Sequence, residues 1–151
     1  MGCLRVEATN CPWVASGQVP LTPIHTLDLP GPYGDYLLTA SVTLHNVADN
    51  LFQDNRRRVT CLLTNALDPR PYTAGWESMT VISATAVLDG ATGINVQQTV
   101  TMHAPFFIRG ASSVPIYLSC FAPDENDPNH VQVRVLKANV SALKLTTMNP
   151  Q

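Results

Sequence analysis

Apolar residues stand at every second position from Tyr36 through Leu38, Ala40 and Val42 to Leu44, and runs with the same stride recur as far as Leu145. Consecutive side chains of an extended chain point to opposite faces of a sheet. A period of two therefore marks a strand with one buried face and one wet face. No stretch carries a 3.6-residue apolar stripe of helical length. The chain is thereby confined to all-β architectures in which two apolar faces cover each other.

Turn chemistry divides the stride into about eight strands. Residues 1–22 hold Cys3, Cys11, Pro12, Gly17 and Pro20 with little periodicity and read as an N-terminal arm or irregular lead-in, with one short strand near residues 4–8. Residues 23–151 form the domain proper. Strands are expected over 24–29, 36–45, 57–65 and 79–88. They are separated by the Pro30-Gly31-Pro32-Tyr33-Gly34 turn, a polar loop over 46–55, and a loop over 66–78 that contains Pro69, Pro71 and Gly75. After Asp89-Gly90 a strand over 94–102 gives way to a break over 104–113, followed by Val114, Ile116, Leu118 and Cys120 in phase. In the last strand the apolar phase runs Val131, Val133, Val135, then Leu136, Ala138, Val140, Ala142, then Leu143, Leu145. Two register shifts are implied. The pattern specifies an antiparallel β-sandwich or barrel held around one core.

Charge narrows the partners. Only 13% of the 151 residues are charged, about half the roughly 25% of ordinary soluble domains. The outward strand positions are then mostly neutral, which suits a protomer that hides faces in an assembly. A net charge of −2, with nine basic against eleven acidic residues, offers no footprint for nucleic acid or an anionic membrane. No apolar span is long enough to cross a bilayer, and residues 1–13, with Arg5 and Glu7 inside them, do not read as a signal peptide.

Five phrases carry a family resemblance: Leu27-Asp28-Leu29-Pro30; Gly34-Asp35-Tyr36-Leu37-Leu38-Thr39-Ala40-Ser41-Val42-Thr43-Leu44-His45-Asn46; Val59-Thr60-Cys61-Leu62-Leu63; Ile116-Tyr117-Leu118-Ser119-Cys120; and the run from Val135-Leu136-Lys137 to Leu143-Lys144-Leu145. Over about residues 23–146 the chain resembles the bacterial and phage branch of C1q-like and TNF-like domains. The resemblance implies a jelly-roll sandwich of eight to ten strands, assembly as a homotrimer, and service as a recognition head or structural knob. The lead-in and the loop over 66–78 depart from the family pattern. The same topology would make the strands of Cys61 and Cys120 neighbours and bring the two sulfurs within bonding range. Two buried thiols acting as small hydrophobes are the other reading.

Other residue groups carry the side chains that chemistry would need. Asp124, Glu125 and Asp127 concentrate hard oxygen ligands in one loop, as calcium requires, without EF-hand spacing; a solvated acidic hairpin is the plainer reading. Tyr72 and Trp76 are aromatic anchors for a glycan or protein, or else pin their loop to the sandwich. Arg56, Arg57 and Arg58 read as a solvated edge or an inter-subunit ion pair. His45 and His103 lie on the polar phase of their strands. No HExxH pair, nucleophile elbow, P-loop or dinucleotide fingerprint occurs.

These observations predict a non-enzymatic protein that works by contact. The first expectation is a structural or decorating protein on the surface of a phage or virus-like particle, where its partners are itself as a homotrimer and other particle proteins. The second is a secreted or cell-surface recognition head that binds glycan or protein.

Overall fold

A computed structural model of the chain describes residues 14–16, 23–31, 33–47, 56–65, 82–89, 96–110, 112–122 and 133–145. Within them eight strands follow in chain order: β1 (Ala15–Ser16), β2 (His25–Leu29), β3 (Gly34–Asn46), β4 (Arg57–Thr64), β5 (Ile82–Leu88), β6 (Gln97–Ile108), β7 (Val114–Ala122) and β8 (Val133–Leu145). They build two sheets packed as a jelly-roll-like β-sandwich, the fold class that the period-two stride predicts. In the larger sheet β7 has β4 and then β5 on one side. On its other side lies antiparallel β2, with the short β1 running parallel further along. In the smaller sheet β3 is the centre, flanked by antiparallel β6 and β8.

The opening stride lines the core. Tyr36, Leu38, Ala40, Val42 and Leu44 are at most 3% exposed, and they pack with the inward residues of the facing sheet, among them Leu29, Val59, Leu63, Leu88, Ile116 and Leu118. Each fully buried aliphatic side chain of this kind stabilises by about 1.5–3 kcal/mol. The segment read as a lead-in takes part too. Val14 is buried in this core and its N–H donates to the Val133 carbonyl of β8, while β1 pairs with β7. The chain there touches both sheets.

Two expectations about strand ends are corrected. The predicted break over 104–113 begins instead after Ile108, because β6 continues through Pro105. Within its sheet β6 pairs with β3 alone, and such an edge strand makes ladder hydrogen bonds on one side only, which is where proline is tolerated. In β8 one register shift is real and the other is absent. The ladder passes from Thr43 opposite Lys137 to Leu44 opposite Val135, so Leu136 is the extra residue of a bulge, and both Val135 and Leu136 are buried. Beyond it the phase never changes again. Leu143 and Leu145 stay on the outward phase and are 64% and 42% exposed.

Candidate functional site

Of the residues singled out in the sequence, Asp124, Glu125 and Asp127 and the aromatic pair Tyr72 and Trp76 lie outside the described residues, as do Cys3 and Cys11. Among the described residues no three His, Cys, Asp or Glu side chains gather as a metal site, and no helix is long and apolar enough to cross a membrane. Cys61 and Cys120 are joined by a disulfide between directly opposed positions of β4 and β7. Arg56 forms an ion pair with Asp89 at 3.3 Å, at the start of β4 and the end of β5.

The two sheets differ in what they offer on their outward faces. On the larger sheet Leu62, Ser119 and Phe121 occupy the outward phase of β4 and β7, yet each is at most 5% exposed, and Leu62 packs with Phe121 in a second apolar cluster. That part of the surface is closed, while Ser83, Thr85 and Val87 of β5 stay exposed. On the smaller sheet the outward residues of β3, β6 and β8 are half-buried or exposed along the ladder. The rows of Thr39 and Ser41 are neutral and polar, and Thr39 shares a hydrogen bond with His103 at 3.2 Å; in the next row Thr43 bonds Thr99 at 2.9 Å and faces the exposed Lys137 of β8. Toward the Leu145 end of β8 the face turns apolar. Leu37 stands between Pro105 and Leu143, and in the next row Asp35 stands between Phe107 and Leu145.

Alternation builds this end of the face. In β6 the sequence Ala104-Pro105-Phe106-Phe107-Ile108 sends Phe106 inward, 5% exposed, and Phe107 outward, 51% exposed. Arg109 follows on the outward phase. Its guanidinium carbon stands 5.0 Å from the centroid of the Phe107 ring, and its Nη1 donates to Asp35 Oδ1 at 2.7 Å. The carboxylate thus holds the cation over the ring. A guanidinium so placed is attracted by the ring's quadrupole, and the ion pair fixes which of its five N–H groups are spent.

The neighbouring turn is anchored separately. Tyr36 is buried and its hydroxyl donates to the Pro30 carbonyl at 3.1 Å. A Cβ at Gly34 would stand 2.7 Å from Cε2 of that ring, so the chain passes closer to it than any side chain allows. Between them Tyr33 takes φ 42°, a left-handed conformation that a bulky residue adopts only when its surroundings dictate it. Its N–H donates to the Gly110 carbonyl at 3.2 Å, and the residue is 63% exposed. The main chain that carries this exposed aromatic residue is therefore fixed against the residue that follows Arg109.

Sequence reasoning missed this cluster because Pro105 and Gly110 read as a break. The available signal was the stride itself, which continues unbroken through Met102, Ala104, Phe106 and Ile108 and so puts Pro105, Phe107 and Arg109 on the outward phase.

The chain matches no family model and no curated protein sequence. Among solved structures it is similar to the C-terminal domain of EclA, a sugar-binding protein, with 14% sequence identity and a TM-score of 0.37 over 85% of this chain and 73% of that one. At that degree of likeness function has to be argued from the chain's own residues.

Proposed function

We propose that this protein is a non-catalytic recognition module that binds its partner through the outward face of the β6-β3-β8 sheet. One observation carries the reading: that face is open along the 13-residue β3, with an exposed apolar end at Leu37, Phe107, Leu143 and Leu145, while the outward face of the larger sheet is closed at Leu62, Ser119 and Phe121. Charge on the open face is confined to the paired Asp35 and Arg109 at that end and to Arg134 and Lys137 at the other. An open apolar end with a polar continuation is the composition of a contact surface. The buried disulfide supports work in an oxidising setting, outside the cell or on its surface, where such bonds persist.

The same apolar rows give a second reading some footing, in which the face packs against further copies in a C1q-like or TNF-like homotrimer, as a particle's decorating protein would. The two separate in one experiment. Fluorescently labelled protein is applied to immobilised cell-surface polysaccharides and glycoproteins, with its mass in solution followed by light scattering. Under the recognition reading the protein is monomeric, binds a subset of these surfaces, and loses that binding in Leu143→Ser but keeps it in Val87→Ser, which alters an exposed residue of β5. A stable trimer that Leu143→Ser dissociates supports the packing reading instead. Binding equal in both variants removes the face from either role.

A further inference from the structure

Resting on that reading, we infer that the Tyr33, Asp35, Phe107 and Arg109 end of the face is a saccharide site that takes an uncharged pyranose. The chemistry of the four residues selects that class. A pyranose ring presents axial C–H groups on one side and hydroxyls around its rim, so its binding site needs an exposed aromatic surface beside paired donors and acceptors. Phe107 supplies the surface: with Arg109 already over it, the residue remains 51% exposed. Arg109 and Asp35 supply the rim. One N–H of the guanidinium donates to the carboxylate, others point elsewhere in its rigid fork, and the carboxylate retains acceptor capacity for hydroxyls.

The ion pair also sets the charge of the ligand. Guanidinium and carboxylate at 2.7 Å cancel, so the site has no net charge to reward an anionic or cationic sugar, and either would have to compete with an existing partner. Tyr33 lies at the edge of this cluster in the chain. Its left-handed backbone is a local cost in the fold, and its N–H bond to the Gly110 carbonyl fixes the main chain two residues before Asp35. The Phe107 ring and the charge pair, held by strand register and by their own contacts, form a site with little to order on binding. A second copy of the chain would fit this end less well, because closing it would bury the 64% exposed Arg109 side chain, whose donors need hydroxyl or water partners.

The test is a titration of 15N-labelled protein by NMR with the methyl pyranosides of glucose, galactose, mannose and N-acetylglucosamine, and with methyl glucuronoside as the anionic control. At least one neutral pyranoside should shift the amides of Tyr33, Asp35, Phe107 and Arg109 with a Kd of about 1 mM, and the glucuronoside should bind at least tenfold more weakly. Phe107→Tyr should keep the affinity. Phe107→Leu and Arg109→Lys should each lower it about tenfold, with the rest of the spectrum unchanged as proof of folding. No shift with any neutral sugar at ~20 mM, shifts confined to another surface, or stronger binding of the glucuronoside would overturn the inference. So would a concentration-dependent shift of the same amides without sugar, which would put a second copy in the site. If the sugars fail while Leu143→Ser still abolishes binding to immobilised surfaces, the recognition face stands and only its saccharide assignment falls.

Discussion

Cys61 on β4 and Cys120 on β7 are directly opposed cross-strand partners, bonded through sulfur with their Cα atoms 4.0 Å apart. Both occupy the inward phase of their strands and both are buried, so the bond lies within the core of the larger sheet. It fastens two positions 59 residues apart in sequence, and it holds the register of the strand pair through which β5 joins β7.

A closed loop of that length removes chain entropy from the unfolded state worth about 4 kcal/mol. For a domain of this size 1 kcal/mol shifts Tm by roughly 2–4 °C, so reduction should lower Tm by about 10 °C. Thermal unfolding followed by circular dichroism with and without reductant measures this. An unchanged Tm, with complete reduction verified by thiol counting, would show that the bond contributes nothing to the fold.

The bulge in β8 makes a sharper prediction about chain length. Removing Leu136 leaves Lys137 opposite Thr43 and Val135 opposite Leu44, a continuous ladder with every other side chain on its present face. That deletion should fold, less stable by about 2–3 kcal/mol for the lost burial of one leucine. Removing Ala138 instead draws Lys137 to the inward position opposite Val42 and turns Leu136 outward. An unpaired lysine there costs several kcal/mol and should prevent folding. Urea titration of the two deletions decides between them; equal stability would mean the bulge does not set the register.

These particulars mark how far the sequence could be read. The stride of β3 and the shift at Val135 and Leu136 were legible because burial on one face imposes its period directly on the chain. The second shift was misread because Leu143 and Leu145 are apolar without being buried. A pattern rule assumes that apolar means inward, and an open contact face breaks that assumption. The Phe107 and Arg109 cluster was hidden for a related reason. Proline on an edge strand resembles a strand end until the sheet order is known.

If Leu143 and Leu145 do face solvent, changing them should cost little. Leu143→Ser and Leu145→Ser should each stay within about 0.5 kcal/mol of the parent, the usual range for surface substitutions. Leu38→Ala, at a position 1% exposed on the opposite face of the same sheet, should lose about 2–5 kcal/mol. Chemical denaturation of the three variants is sufficient. A loss above 2 kcal/mol for Leu143→Ser would restore the second register shift and place that residue in the core.

Tyr33 separates stability from binding. An L-residue in the left-handed region costs roughly 1–2 kcal/mol, whereas glycine visits it freely but gives back about 0.5–1 kcal/mol of unfolded-chain entropy. Tyr33→Gly should therefore be more stable than Tyr33→Ala by about 1 kcal/mol, because alanine keeps the backbone cost and loses the ring. Both variants remove the exposed phenol and should weaken pyranoside binding alike. Equilibrium unfolding and the NMR titration, run on the same two proteins, read the two effects independently. If the glycine variant is the less stable of the pair, the turn does not hold Tyr33 against its backbone preference. If either variant binds sugar as the parent does, Tyr33 lies outside the site.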